Sequence, residues 1–197
     1  MRQLPFALIL FRLAAGPALL VLCLVQPPYV ALWCVLVLAL GVLSDIFDGV
    51  IARKLGVVTP ALRLWDSRVD VVFWLSVAIS LHMLYPQIWH VTWIMLAVLG
   101  VMEAVTHAIS YLRFRREAST HHLLSKIFCL FLWALASQIY IMGETGWLFW
   151  LTLAIGAASQ LEAMAIMLII PAWQVDVKSI EAARALRRAA SEAPPPC

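Results

Sequence analysis

Charge is what this chain has least of. Only 13% of its 197 residues are Asp, Glu, Lys or Arg, against 64% hydrophobic, a balance that excludes an ordinary soluble domain. The net charge of +3 is too small to argue for a nucleic-acid partner. Cysteine offers no chemistry either. Cys23, Cys34, Cys129 and Cys197 show no C-x-x-C spacing and no matched histidines, which argues against a thiolate metal site and a disulfide framework. The first three lie in apolar runs and read as small hydrophobes. No convincing small-residue cleavage site precedes the turn at Gln26, Pro27 and Pro28, so the first apolar run reads as a retained helix rather than a signal peptide. No internal repeat, long linker or second domain is visible.

What the chain has in abundance is long hydrophobic runs. Six of them reach the length of a bilayer-spanning helix: about Leu4 to Leu24, Tyr29 to Ile51, Leu62 to Leu84, Trp89 to Leu112, Leu123 to Met142 and Trp147 to Ile170. Gly16 and Pro17 invite a kink in the first. Trp89, Trp93, Trp147 and Trp150 sit where aromatic belts are expected. The connections Gln26 to Pro28, Tyr85 to Ile88 and Gly143 to Gly146 hold no Lys or Arg. All 14 basic residues fall in the N-terminal region, the 52–68 and 113–126 connections or the tail. The runs and the positive-inside rule therefore predict an all-α integral membrane protein with six transmembrane helices, both termini cytoplasmic, and Asp45, Asp48, Asp66 and Asp70 near the cytoplasmic interface. Residues 1–173 form its membrane domain and 174–197 a polar tail. Strong helix formers from Ile180 to Ala190 predict a short surface helix drawn to anionic lipid by Arg184, Arg187 and Arg188, or else a solvated end that frays at Pro194 to Pro196.

Against that background the stretch Ser44 to Asp70 stands out. Asp45, Asp48, Asp66 and Asp70 lie where spans two and three meet the connection between them, and ionised groups in such segments are costly and functional by default. Asp45 and Asp48 are three apart and Asp66 and Asp70 four apart, so each pair shares one helix face. Two antiparallel helix ends then point four carboxylates into one volume, where they repel unless cations intervene. Hard divalent ions favour carboxylates plus substrate phosphates, and a pair of them can clamp a phosphoryl group. A plainer reading has the acids as a solvated loop paired with Arg53, Lys54, Arg63 and Arg68. The spacers favour the first: Gly49 permits close backbone approach, Ala52 keeps the face small, and Arg53 offers a planar fork suited to phosphate.

These residues resemble the signature of the CDP-alcohol phosphatidyltransferases: D-x-x-D-G-x-x-A-R, eight residues, then G-x-x-x-D-x-x-x-D. Asp45, Asp48, Gly49, Ala52, Arg53, Asp66 and Asp70 match at those spacings, and Leu62 stands in place of the second glycine. The resemblance implies that Asp45, Asp48 and Asp66 bind two divalent cations, Mg²⁺ or Mn²⁺. It makes Asp70 both metal-associated and the catalytic base. Gly49, Ala52, Arg53 and Thr59 would meet the CDP part of the donor. It also implies a six-helix homodimer whose partners are CDP-diacylglycerol, a small alcohol and membrane lipid. Short bacterial members of this shape include phosphatidylglycerophosphate synthases, which makes glycerol 3-phosphate the leading acceptor and the bacterial inner membrane the location.

Other ionisable residues carry two readings each. Arg12 is a phosphate contact by the resemblance or a snorkelling arginine; Phe6 and Ile9 replace the N-x-x-T that often precedes it in the family. Glu103, His107 and Tyr111, four apart in turn, descend span four toward Arg113, Arg115 and Arg116. They wall an acceptor pocket or form an interhelical hydrogen-bond seam. Glu162, with Gln160, reads as an interhelical partner. His121, His122, Ser125 and Lys126 open span five, and Lys126 resembles the first lysine of a G-K-x-K-T segment, from which Ser125, Phe128 and Cys129 depart. His82 and His90 read as interfacial.

The expected activity is transfer of a phosphatidyl group from CDP-diacylglycerol to a small alcohol, releasing CMP. Two other classes remain open: a catalytically silent scaffold of the same fold, and a cation-coupled transporter, which would instead place its acids near the midplane and show repeats.

Overall fold

A computed structural model describes residues 4–57, 59–118, 122–175 and 177–192. His121, Pro194 to Pro196 and Cys197 lie outside them. Among the described residues the chain is all helical. Helices α1 (Leu4–Val25), α2 (Val30–Lys54), α3 (Pro60–Leu84), α4 (Trp89–Phe114), α5 (Leu123–Met142) and α6 (Gly146–Ile169) are followed by the shorter α7 (Ile180–Glu192). The first six are long and apolar enough to cross a membrane, as the hydropathy pattern predicts.

The chain divides into two compact units. The first comprises residues 1–92 and 132–148, and α1 packs against both α2 and α3 within it. Small residues set these contacts. A Cβ on Gly41 would overlap the Phe73 ring, and one on Gly16 would stand 2.8 Å from Ser76 Oγ. Close approach of this kind is how helices gain packing energy where lipid offers no hydrophobic driving force. Leu19, Leu38, Phe73 and Val77 fill the core beside them. α1 runs helical through Gly16 and Pro17.

Two tyrosines and a serine in this unit find partners across helices. The Tyr140 and Ser80 hydroxyls are 2.5 Å apart, and the Tyr85 hydroxyl donates to the Tyr140 carbonyl at 2.8 Å. Cys23 and Cys34 lie in adjacent helices with their sulfurs 4.0 Å apart, both buried and free. Sequence spacing gave no sign of that meeting.

The second unit comprises residues 93–131 and 149–197. Gly156 admits Phe128 and Leu99, each about 3 Å or less from where its Cβ would stand. Ala118, Ile166, Met167, Ile170, Val177 and Ala183 form a core that seats α7 against the end of α6.

The contact at Gly41 is testable. Gly41→Leu forces the Phe73 ring from its site and is expected to destabilise the protein by about 1–3 kcal/mol through overpacking. Thermal unfolding in detergent measures it, and adding Phe73→Ala restores part of the loss if the contact is the cause.

Candidate active site

α3 starts where it does because of its cap. The Thr59 hydroxyl accepts from the Leu62 amide at 3.1 Å, and Pro60 opens the first turn, a combination that fixes a helix start. The residue that departs from the motif glycine is thus the one whose amide Thr59 receives. With α3 begun at Pro60, Asp66 and Asp70 fall in its second and third turns, while Asp45 and Asp48 fall in the last three turns of α2.

The structure brings all four aspartates together. Carboxylate oxygens of Asp45, Asp48 and Asp66 lie within 4.8 Å of one another. Asp70 joins them through a shared partner, Arg12 of α1. Arg12 Nη1 is 3.1 Å from both Asp45 Oδ1 and Asp66 Oδ1 and also bonds Asp70, while Nη2 bonds Asp48. Arg12 is 1% exposed, so it does not snorkel; its guanidinium turns inward to the centre of the acids. Arg63, one turn before Asp66 and also buried, reaches Asp66 Oδ2 at 3.6 Å.

Exposure divides the cluster into a floor and a rim. The side chains of Asp48 and Asp66 are only 4% and 5% exposed, whereas Asp45 and Asp70 are 32% and 29% exposed. A molecule arriving from outside meets Asp45 and Asp70 first. Four carboxylates against the two arginines leave two formal negative charges uncompensated by them, and the donor set is oxygen alone. That combination fits a hard divalent cation and no soft one. Among the described residues Arg12 Nε is buried with no hydrogen-bond partner, an orphaned donor available to a ligand.

The other residues of the motif line up beside the cluster. Gly49 and Ala52 are buried and Arg53 is exposed. A Cβ at Gly49 would stand 3.4 Å from Arg53 Nη1, so the glycine's bare edge faces that guanidinium.

The residues expected to meet the acceptor all belong to the second unit, and most are already engaged there. His107 Nε2 is 3.0 Å from Glu103 Oε1, and Gln160 of α6 donates to Glu103 Oε2 at 2.5 Å. This is the interhelical seam. Arg113 spends its guanidinium on the Met167 and Ile170 carbonyls at the end of α6, a helix C-terminus satisfied by a basic side chain. His122 is buried beside Ser159 Oγ at 3.0 Å, with Glu162 Oε2 at 3.9 Å, as expected for an interhelical Glu162. Lys126 is exposed near the start of α5. In the first unit, the His90 ring stands 2.6 Å from the Gln87 carbonyl and the His82 ring packs tilted against Trp89. Sequence reasoning missed the Arg12 convergence, since α1 carries no periodic signal for it. Arg63 was detectable from its position three before Asp66.

Six helices are long and apolar enough to cross a bilayer, and the first unit gathers an all-oxygen acidic cluster that could hold a metal ion. A sequence model of the CDP-alcohol phosphatidyltransferase family matches residues 2–177, and the chain belongs to that family. Comparisons with curated proteins and with solved structures return no match.

The central contact carries its own test. Arg12→Met leaves four crowded carboxylates without their buried counter-charge and is expected to cost roughly 3 kcal/mol or more. A lower midpoint of thermal unfolding in chelator, partly recovered by adding Asp48→Asn, is the expected result.

Proposed function

We propose that the protein transfers a phosphatidyl group from CDP-diacylglycerol to the hydroxyl of a small alcohol, releasing CMP. Family membership implies the general reaction, transfer of a phosphatidyl group from a CDP-alcohol to an alcohol. The observation that supports the finer reading is the gathering of Asp45, Asp48, Asp66 and Asp70 around Arg12, two on the floor and two on the rim.

Two divalent cations, Mg²⁺ or Mn²⁺, held by these four aspartates would neutralise the donor diphosphate and polarise its phosphorus. The remaining work falls to side chains. Arg53, free of ion pairs among the described residues, grips phosphate oxygens through its planar fork, and Arg12, whose Nη atoms hold the aspartates, offers its Nε. Gly49 and Ala52 keep the intervening face low, and Thr59, whose hydroxyl hydrogen is not used in capping, donates to the CDP part. Asp70, on the rim, accepts the proton of the incoming hydroxyl. The acceptor oxygen bonds to the phosphatidyl phosphorus, the bond from that phosphorus to the bridging oxygen breaks, and CMP leaves.

For the acceptor we favour glycerol 3-phosphate, with Glu103, His107, Arg113 and Lys126 of the second unit as its candidate contacts. Lys126 is exposed and supplies a point charge for phosphate; Arg113, already bound to carbonyls, contributes by holding the end of α6. We further propose that residues 1–173 act as one membrane domain in the bacterial inner membrane, with both termini cytoplasmic as the distribution of basic residues indicates. A homodimer is supported by α4, where Gly100 and Ala104 are exposed and nothing lies within 4 Å of where a Gly100 Cβ would stand.

CMP release from CDP-diacylglycerol, assayed over a panel of alcohols, tests the reading. Asp70→Asn is expected to lower turnover by about 10²-fold or more while donor binding persists, and Asp45→Asn or Asp48→Asn to weaken metal-dependent donor binding. Full turnover by purified Asp70→Asn protein contradicts the base assignment. No CMP release with any alcohol points to a silent scaffold.

A further inference from the structure

The first helix outside the bilayer-length set has its own binding geometry. α7 is anchored through Ala183, which is fully buried against Ile166, Met167, Ile170 and Val177. Arg184, Arg187, Arg188 and Ser191 stand at positions i, i+3, i+4 and i+7 of this helix, a spacing that places them on one face. With Ile169, the last residue of α6, they line a cavity of about 420 Å³. Among the described residues none of the three guanidiniums has an ion-pair partner. The helix's own carboxylates, Glu181 and Glu192, do not line the cavity.

A row of arginines on a surface helix is by default a solvated face. Here it faces a cavity walled by an isoleucine that ends a 24-residue apolar helix, and the end of a helix of bilayer length is where lipid headgroups are met. Three planar donor forks and one hydroxyl suit a phosphate. An apolar side chain beside them suits the start of an acyl chain.

We propose that Arg184, Arg187, Arg188 and Ser191, with Ile169, bind the phosphate headgroup of an anionic phospholipid. The site lies outside the carboxylate cluster's residues, uses none of them and requires no turnover. Free phosphate shares the headgroup's charge but lacks the acyl chain that Ile169 would meet, so the lipid is the occupant.

Native mass spectrometry of the full-length protein in detergent, titrated with dioleoyl phosphatidylglycerol or dioleoyl phosphatidylcholine, tests it. The expected result is preferential retention of phosphatidylglycerol, weakened about fivefold for each arginine changed to glutamine at 184, 187 and 188. Changing the same three to lysine, which keeps the charge but not the planar forks, is expected to weaken retention less than glutamine does, which separates loss of charge from loss of α7. Millimolar inorganic phosphate is expected to leave the bound lipid in place. Equal retention of both lipids, equal retention by the triple glutamine variant, or displacement of lipid by inorganic phosphate would overturn the proposal.

Discussion

One guanidinium holds the first unit's acidic centre together. Arg12 enters from α1 and meets aspartates from α2 and α3, so the three helices that pack on one another also share a single charge centre. Taking one charge out of water is expensive, and taking five would be prohibitive without mutual compensation. The two least exposed carboxylates lie deepest, and one of them has Arg63 as a second partner. The two more exposed ones face outward, where water shares the load. Burial thus sorts four chemically identical side chains into two roles: a fixed floor that organises charge and an accessible rim that can exchange protons and ligands.

The packing explains why this centre has so little slack. Gly16 and Gly41 let α1 and α2 approach α3 until side chains of α3 touch the space where a Cβ would be. The Thr59 cap fixes the register of α3, and with it the depth of Asp66 and Asp70 relative to the last turns of α2. A shift of one residue in either helix would rotate a carboxylate by about 100° away from Arg12. The same oxygens that accept from Arg12 are those a divalent cation would use, so the arginine and the cation are linked through one set of ligands.

Much of this was legible in the sequence because it is local. Helix limits at Trp89, Leu123 and Met142 follow from uninterrupted apolar runs bounded by turn residues, and the four aspartates share faces because three- and four-residue spacings do so on any helix. The family resemblance was carried by seven residues within 26 positions of one another. What escaped is long-range. Nothing in the spacing of α1 says that Arg12 turns inward, nor that Cys23 meets Cys34, nor that Gln160 reaches back to Glu103. Arg113 illustrates the point most clearly: a basic residue at a helix end reads as a free phosphate ligand until the fold shows the carbonyls of Met167 and Ile170 within its reach.

If the acidic centre exists to hold divalent ions, its affinity for them is a property of the purified protein before any substrate arrives. Electron paramagnetic resonance of added Mn²⁺ reads that directly. The account expects protein-bound Mn²⁺ in the wild type and its loss when Asp45, Asp48 and Asp66 are together replaced by asparagine. Equal Mn²⁺ binding by the two proteins would contradict it.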